Sequence, residues 1–233
     1  MQFIGSLLFT SFLFVWTFCY GLAFAIVANF IPYRRRFALA RFWGQVLLGA
    51  LKLLCRLDYR VEGRENLPAG HHVAYWKHSS TWETFAQAVV FPPQAWVFKR
   101  ELMWLPFVGW GLKLLRGIAI NRSGGGSAVR QVVEQGTARL NDGMWVVIFP
   151  EGTRMPPGET RRYGISGALL AVESGHLIVP VAHDAGYYWR RRAFVKKPGT
   201  IVVRIGPPIV CAGRDPREVN AEAQAWIEKN STH

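Results

Sequence analysis

The sequence predicts an α/β fold, a mostly parallel sheet flanked by helices, preceded by an N-terminal membrane-embedded helical segment. From about residue 60 onwards, short apolar runs alternate with candidate helices, as they do in sheets whose strands are covered on both faces. Residues 1–33 contain no charged side chain. Half of the 233 residues are hydrophobic and 18% are charged, which excludes an intrinsically disordered chain.

The strands are predicted from short runs rich in β-branched and aromatic residues. They are His72–Trp76, Ala95–Lys99, Gly117–Ile120, Trp145–Phe149, Leu177–Ala182 and Thr200–Ile205. The predicted helices between and after them are Thr81–Val90, Ser127–Leu140, Gly164–Ser174 and Pro216–Lys229. In open α/β sheets, ligands bind outside the carboxyl ends of the strands, so residues that directly follow these strands are expected to form the site.

Residues 3–31 form an almost wholly apolar stretch. As a helix it measures about 44 Å, against about 30 Å of bilayer hydrocarbon, so it is long enough to span with tilt or to enter as a bent element. The triplet Arg34-Arg35-Arg36 predicts a cytoplasmic location for everything downstream. A cleaved signal peptide is disfavoured, because the stretch lacks a positive N-terminal region and is about twice as long as an ordinary apolar core of such a peptide.

A second, milder apolar stretch covers residues 42–57 and is interrupted by Lys52 and Arg56. Its helical spacing of apolar residues suits an amphipathic helix on the membrane surface, and equally a helix that covers the core of a soluble domain. Both interpretations remain open. The predicted organisation is a membrane-anchoring part, residues 1–58, and a cytoplasmic catalytic domain, residues 59–233.

The charge balance indicates an anionic partner. The net charge is +13, and 21 of the 28 basic residues are arginines, whose planar guanidinium suits phosphate groups. Nucleic acid, an acidic membrane surface and phosphorylated small molecules all fit. The three scattered cysteines predict neither a disulfide framework nor a zinc site, and no histidine spacing predicts a metal site.

The first candidate for chemistry is the pair His78 and Glu83, which follows a predicted strand and opens a predicted helix. Histidine is the usual general base near neutral pH, and a carboxylate that accepts its other ring N–H fixes the tautomer. The ordinary alternative is a helix cap, with Ser80 as the N-cap and Glu83 three residues later. The two interpretations are compatible, since a capped helix start holds a neighbouring histidine rigidly.

Basic residues follow three further strands. Arg154 ends the run Phe-Pro-Glu-Gly-Thr-Arg at residues 149–154, Arg122 follows the short strand at 117–120, and Lys99 ends its own strand. A single basic residue at a strand end is usually solvated. Three basic residues that meet at one edge of a sheet predict an anion-binding site, and we expect His78 and Arg154 to share its pocket.

On these blocks the chain resembles the glycerolipid acyltransferase superfamily, in particular its bacterial 1-acylglycerol-3-phosphate acyltransferases. His78 to Glu83 matches the HX4D box of the family, with Glu in place of Asp, and residues 149–154 reproduce the FPEGTR block in full. Residues 117–122 match the second block through Arg122, and residues 178–181 match the apolar fourth block with its proline. The resemblance covers about residues 60–210 in the family's order.

The resemblance implies an O-acyltransferase that moves a fatty acyl group from acyl-CoA or acyl carrier protein to the 2-hydroxyl of lysophosphatidic acid. It implies that His78 is the catalytic base and that Glu83 holds its imidazole. The implied phosphate-binding residues are Lys99, Arg122, Glu151, Gly152, Thr153 and Arg154. No cofactor, metal or nucleic acid is implied, and the lipid bilayer is a partner, at the cytoplasmic face of the bacterial inner membrane.

Other functions remain as alternatives. The acceptor of the same reaction is alternatively glycerol-3-phosphate or another lysolipid. A membrane-associated nucleic-acid-binding protein fits the net charge and the aromatic and arginine cluster at residues 187–192, but leaves the ordered blocks unexplained. A non-catalytic lipid-binding scaffold does not need His78 and Glu83. A serine nucleophile at Ser79 or Ser80 is disfavoured, because no G-x-S-x-G turn is present.

Overall fold

The computed structural model describes residues 1–121 and 124–231. Its helices are α1 (Gln2–Val27), α2 (Tyr33–Cys55), α3 (Glu83–Val90), α4 (Val108–Leu114), α5 (Gly126–Asn141), α6 (Ser166–Ser174), α7 (Ala185–Tyr188) and α8 (Pro216–Asn230). Its strands are β1 (Leu57–Glu62), β2 (Val73–Trp76), β3 (Gln94–Lys99), β4 (Ile118–Ile120), β5 (Trp145–Ile148), β6 (Ile178–His183) and β7 (Gly199–Ile205). Short 3₁₀ turns cover Ala28–Phe30, Arg64–Asn66 and Arg100–Trp104.

The strands form a seven-stranded sheet in the order β1-β7-β6-β2-β5-β3-β4. All neighbouring strands run parallel except β6 and β7, which pair antiparallel with Val181 opposite Ile205. Strands β2, β5, β3 and β4 therefore end at the same edge. This edge carries the segments that follow residues 76, 99, 120 and 148, where the sequence places its chemistry.

The sheet is covered on both faces. One apolar core joins the sheet to α1, α2 and α3, with the side chains of Trp76, Trp82 and Trp145 fully or almost fully buried. A second core lies on the opposite face and packs the sheet against α5, α6 and α8. Helix α4 contacts α1, at the side of the sheet that β4 closes.

The predicted fold class is confirmed, and each predicted strand agrees with the structure to within one residue at either end. Strand β1 was not predicted, because its Asp58, Arg60 and Glu62 interrupt the apolar residues. Asp58 is only partly buried, and Arg60 and Glu62 are exposed, as expected of a strand at the edge of a sheet. The short helices α4 and α7 were also not predicted, and α3 begins at Glu83 rather than Thr81.

The stretch predicted as a helix over residues 42–57 is the second half of the longer helix α2, which ends at Cys55. Arg56 follows in the left-handed conformation, with φ 54°, and terminates it. Leu47, Leu48 and Leu51 are buried, so this face of α2 covers the core. The division of the chain at residue 58 into a membrane-anchoring part and a catalytic domain stays a prediction.

Two helical segments are long and apolar enough to cross a membrane, Gln2–Phe30 and Tyr33–Cys55. They pack against each other, and α2 packs on α3 and β1. Two glycines permit the close approach, Gly5 between α1 and α2 and Gly44 between α2 and α3. A Cβ atom at Gly5 would overlap the carbonyl oxygen of Leu54, and one at Gly44 would lie 2.9 Å from the carbonyl oxygen of Phe85.

The contact at Gly44 gives a stability prediction. Gly44→Ala forces α2 away from α3, and overpacking of this kind costs about 1–3 kcal/mol. The matched control is Gly49→Ala on the same helix, where a Cβ atom meets open space and the better helix propensity of alanine acts alone. We expect thermal unfolding in detergent micelles to show a lower midpoint for Gly44→Ala and an equal or higher one for Gly49→Ala. Equal midpoints for wild type and Gly44→Ala would contradict this packing.

Candidate active site

His78 and Glu83 form a hydrogen-bonded pair at the carboxyl end of β2. The Nδ1 atom of His78 lies 2.8 Å from Oε1 of Glu83. The Glu83 side chain is fully buried and also accepts the backbone N–H groups of Ser79 and Ser80 at 2.9–3.0 Å. The first turn of α3 therefore fixes the carboxylate, and the carboxylate fixes the imidazole.

The predicted helix cap is present in part. Glu83 reaches back to the N–H of Ser80, as a capping box requires, but Ser80 Oγ accepts from the N–H of Trp82 at 3.1 Å rather than from that of Glu83. The cap and the His78 contact share one carboxylate. The contact at the helix start and the contact with His78 are therefore present together.

The electrostatics keep Glu83 ionised. Burial acts to raise the pKa of its carboxyl group. The hydrogen bond with His78, the nearby His183 and the N–H of Ser80 act more strongly in the opposite direction, so the pKa lies below its ordinary value. An ionised Glu83 accepts a hydrogen bond from Nδ1–H of His78, which keeps the proton on Nδ1 and leaves the lone pair of Nε2 available. The ring lies against Phe149, with 4.4 Å between the centroids.

A second buried histidine supports this pair, and the sequence reasoning missed its role. His183, at the end of β6, donates from Nε2 to the carbonyl oxygen of Lys77 at 2.8 Å and lies 3.8 Å from Oε2 of Glu83. Burial lowers the pKa of His183, which favours the neutral ring. Its contact with the backbone of residue 77 holds the loop that carries His78. The sequence places His183 at a strand end, but gives no sign of its partner.

Glu151 occupies a different place from the one expected. Its carboxylate lies 2.8 Å from Nζ of the buried Lys77 and accepts the backbone N–H of His78 at 2.5 Å. Lys77 also pairs with Glu228 of α8, and Tyr163 donates to that carboxylate at 2.7 Å. Glu151 does not line the cavity described below. It holds the His78 loop, and its part in binding a substrate phosphate stays a prediction.

One cavity of about 560 Å³ joins the predicted residues. His78, Lys99, Gly152, Thr153 and Arg154 all line it, which places the histidine and the arginine in one pocket as expected. Arg122 lies outside the described residues. Arg191, from the aromatic and arginine cluster at residues 187–192, also lines the cavity, a position that the sequence does not indicate. The Nε atom of Arg154 is buried and has no hydrogen-bond partner among the described residues.

Away from these cations the cavity wall is mainly apolar. It is built by Tyr20, Gly21, Phe24, Ala40, Trp43, Trp96, Phe98, Phe107, Val108 and Leu112, among others. Both N-terminal helices contribute, so the segment expected only to anchor the chain also encloses the site. The volume and the combination of an apolar wall with a few convergent polar groups are typical of a small-molecule pocket.

The segment from Lys99 to Leu114 closes one side of the cavity. Gly109 packs so tightly that a Cβ atom there would overlap the backbone of Met103. Phe107 adopts φ 63°, which bulky residues rarely adopt, and its ring packs against Phe18 of α1 with 4.9 Å between centroids. The segment thereby ties α4 to α1 over the cavity.

Comparison with known proteins identifies the family. A family model described as Acyltransferase matches residues 58–184, a range that contains His78, Glu83 and residues 149–154. The 1-acyl-sn-glycerol-3-phosphate acyltransferase of Pseudomonas aeruginosa is 40% identical over 98% of this chain and 91% of its own length. The chain belongs to the acyltransferase family. The resemblance seen in the sequence blocks is thereby confirmed.

More distant members of the acyltransferase family show the same relationship. The 1-acyl-sn-glycerol-3-phosphate acyltransferase of Saccharomyces cerevisiae is 30% identical over 68% of this chain, which spans 54% of the yeast protein. The crystal structure of the 1-acyl-sn-glycerophosphate (LPA) acyltransferase PlsC from Thermotoga maritima superposes with a TM-score of 0.80 at 22% identity. That match covers 97% of this chain and 93% of that one, and it shows a shared fold.

The His78–Glu83 pair gives a kinetic prediction for an acyltransferase. Glu83→Gln keeps the shape of the side chain but removes its charge. It also places an amide NH₂ where the carboxylate accepts the backbone N–H groups of Ser79 and Ser80. We expect the acyl-transfer rate to fall by about 10²–10⁴-fold, because the imidazole loses its tautomer and the support for its cation. Glu222→Gln, on an exposed ion pair with Arg214, is the control. Equal rates for Glu83→Gln and the control would contradict the assignment.

Proposed function

We propose that the chain transfers a fatty acyl group from an acyl thioester to the 2-hydroxyl of 1-acylglycerol-3-phosphate, giving phosphatidic acid. The observation that carries this proposal is the shared cavity, in which an oriented His78 and the Arg154 guanidinium line a pocket with a mainly apolar wall. The names of the Pseudomonas and yeast relatives give the same reaction class.

His78 acts as the general base. Its Nε2 takes the proton of the 2-hydroxyl while that oxygen forms a bond to the thioester carbonyl carbon. The resulting tetrahedral species collapses, the carbon–sulfur bond breaks, and the thiolate takes the proton back from the imidazolium as the thiol leaves. Glu83 stabilises the imidazolium between these steps, as a buried carboxylate does in hydrolase triads. The sequence of steps draws on no cofactor and needs no acyl-enzyme.

The cations at the cavity bind the acceptor's phosphate. Arg154 supplies a buried Nε with no partner among the described residues, and Lys99 and Arg191 line the same cavity. Arg122 remains a proposed member of this group on the strength of its motif. Charge-assisted bonds to a phosphomonoester position the glycerol, and positioning alone supplies several kcal/mol of barrier reduction.

The apolar wall favours a lysolipid acceptor over glycerol-3-phosphate, which carries no acyl chain to bury. A nucleic-acid-binding function is disfavoured because Lys99, Arg154 and Arg191 line a pocket rather than an open surface. The donor is acyl-CoA or acyl carrier protein. Both present the same thioester to the cavity, and an assay separates them.

We also propose that α1 lies in one leaflet at the cytoplasmic face of the bacterial inner membrane. Its exposed apolar residues include Phe3, Ile4, Leu7, Leu8, Phe14, Val15, Phe18, Leu22, Ile26 and Val27. α1 touches the folded part at its start and again in its second half, because Gln2 donates to the Lys196 carbonyl oxygen and Phe18 packs on Phe107. A full span would carry the elements beneath α1 into the hydrocarbon. If only the exposed face of α1 is buried in the leaflet, the polar groups of those elements stay out of the hydrocarbon.

The roles of His78 as base and of Arg154 in phosphate binding are tested with purified enzyme in detergent micelles. The assay contains lysophosphatidic acid and a labelled donor of each type. We expect His78→Ala and His78→Gln to lose at least about 100-fold in kcat. Arg154→Gln should mainly raise KM for the acceptor, since it removes a phosphate contact. Lysophosphatidylcholine, whose phosphate is a diester, is the control acceptor and should react far more slowly. Full activity of either His78 variant, or equal rates for both acceptors, would overturn the proposal.

Membrane attachment through α1 is tested by flotation with anionic vesicles in high salt. We expect the double variant Phe14→Asp/Val15→Asp to leave the vesicles, because it places two charges on the exposed apolar face. Val210→Asp is the control, an equally exposed apolar residue outside α1, with 61% exposure against 69% for Phe14. If both variants float like the wild type, α1 is not the attachment site.

A further inference from the structure

Helix α8 contacts the His78 loop, residues 77–82, through Glu228. Both carboxylate oxygens of Glu228 contact Nζ of Lys77, at 2.9 Å and 2.8 Å. Lys77 directly precedes His78, and only 4% of its side chain is exposed. Glu228 lies outside residues 58–184, the range that the family model matches. A residue near the end of the chain therefore meets the neighbour of the histidine.

The contact continues from Lys77 to the backbone of His78. The Lys77 ammonium also lies 2.8 Å from Oε1 of Glu151, and Oε2 of Glu151 accepts the N–H of His78 at 2.5 Å. The carbonyl oxygen of Glu159 lies 3.2 Å from the same ammonium. An ammonium group has three N–H donors, so Glu151, Glu159 and Glu228 together satisfy it. These three partners set its position.

Glu228 is itself held in place by the segment before α6. The hydroxyl of Tyr163 donates to Oε1 of Glu228 at 2.7 Å. The N–H of Tyr163 donates to Oε1 of Gln224, and its carbonyl oxygen accepts from Nδ2 of Asn220, both at 3.2 Å. Asn220 in turn accepts from the hydroxyl of Tyr75 on β2 at 3.1 Å. Helix α8 is thus hydrogen-bonded to the strand that leads into the His78 loop.

The charges around Lys77 do not balance. One ammonium faces two carboxylates, and the side chain of Glu151 has no exposed surface. Burial raises the pKa of Glu151 to about 7, while the ammonium of Lys77 acts to lower it and the charge of Glu228 acts to raise it. The titratable side chains that interact with Glu151 include Lys77, Glu228 and Tyr163. Glu228 therefore influences the pH at which Glu151 ionises.

The geometry around Glu151 suits the ionised carboxylate. Its Oε1 faces the Lys77 ammonium and its Oε2 faces the N–H of His78, so each oxygen meets a donor. A proton on either oxygen competes with one of these donors. Protonation of Glu151 thus weakens the contact that holds His78 or the contact that holds Lys77. The position of His78 depends on the charge of Glu151.

We propose that Glu228 is a positioning residue for acyl transfer. It holds the Lys77 ammonium against Glu151, and Glu151 fixes the backbone of His78. Tyr163 holds Glu228 in turn. The inference rests on the role of His78 proposed above. It extends the catalytic apparatus to α8, of which no residue lines the cavity.

The test compares kcat and KM for lysophosphatidic acid in purified Glu228→Gln and Tyr163→Phe, at about pH 8, where Glu151 is ionised. We expect Glu228→Gln to lower kcat by about tenfold and to leave KM within about twofold, because the base is displaced while the cations that line the cavity are not. Tyr163→Phe keeps every charge and should lower kcat by about threefold. It carries the comparison if Glu228→Gln yields too little folded protein.

Matched controls exist for both variants. Glu222→Gln removes a carboxylate on the same helix that pairs with Arg214 at the surface. Tyr33→Phe removes a hydroxyl that donates to the carbonyl oxygen of Gln94 at 2.9 Å. Both controls should keep the kcat of the wild type.

The pH dependence of kcat separates positioning from a loss of folded enzyme. A smaller folded fraction lowers the rate without moving the midpoint of the profile. Glu228→Gln removes a charge that raises the pKa of Glu151, so Glu151 stays ionised at lower pH. The acid side of the profile should therefore move to lower pH by about half a unit or more. Glu222→Gln should leave it in place.

A double variant tests the route from Glu228 to His78. Glu151→Gln should lower kcat by itself. Adding Glu228→Gln to it should lower kcat by less than about a further twofold, because the contact through which Glu228 acts is already lost.

Three results would each overturn the proposal. They are wild-type kcat in both Glu228→Gln and Tyr163→Phe, an acid side that does not move in Glu228→Gln, and losses that multiply fully in the double variant. Full activity of His78→Ala would instead refute the proposed function, since the positioning of His78 matters only if it is the base.

Discussion

The hydrogen bond between the buried Glu83 carboxylate and Nδ1 of His78 is the constraint on which the site depends. A carboxylate with no exposed surface is costly unless its oxygens are paired, and here the N–H groups of Ser79 and Ser80 and the ring of His78 pair them. The start of α3 therefore cannot form without orienting the imidazole. Local folding and chemical function use the same contacts, and the lowered pKa of Glu83 is a consequence of that arrangement.

The rest of the structure holds this unit against the cavity. Lys77, one residue before the histidine, is clamped by Glu151 and Glu228, which come from the loop after β5 and from α8. His183 fixes the carbonyl oxygen of the same lysine from β6. Three distant parts of the chain therefore converge on residues 77 and 78. Across the cavity, α1 and α2 supply an apolar wall, so a helix pair suited to lipid contact also encloses the site.

The sequence predicted those parts of the site that depend on local spacing. His78 and Glu83 are five residues apart and belong to one strand-to-helix turn, and residues 149–154 follow a strongly apolar strand. It did not predict partners that are distant along the chain. The resemblance assigned Glu151 to the substrate phosphate with the rest of its block, and nothing in the sequence indicates its contact with Lys77, 74 residues earlier. The sequence also did not predict that α1 contributes to the cavity, because an apolar helix suits lipid and protein contacts equally.

The edge strand β1 was not predicted from the sequence for a different reason. Leu57, Tyr59 and Val61 alternate with Asp58, Arg60 and Glu62, the period-two pattern of a strand with one covered face, but the charged residues make it resemble a loop after a helix. The pairing of β1 with β7, which is more than 130 residues away, supplies the missing hydrogen bonds. No local pattern indicates such a partner, whereas the apolar central strands are evident from composition alone.

The catalytic role of His78 requires its ring proton to lie on Nδ1, and nitrogen NMR of the histidine side chains locates that proton. In protein labelled at the imidazole nitrogens, the His78 resonances are assigned by their loss in His78→Gln, at a pH where the ring is neutral. The contact with Glu83 predicts a proton on Nδ1 of His78, whereas the contact with the Lys77 carbonyl predicts a proton on Nε2 of His183 in the same spectrum. A proton on Nε2 of His78 would rule out His78 as the general base, because that nitrogen could not then accept the proton of a substrate hydroxyl.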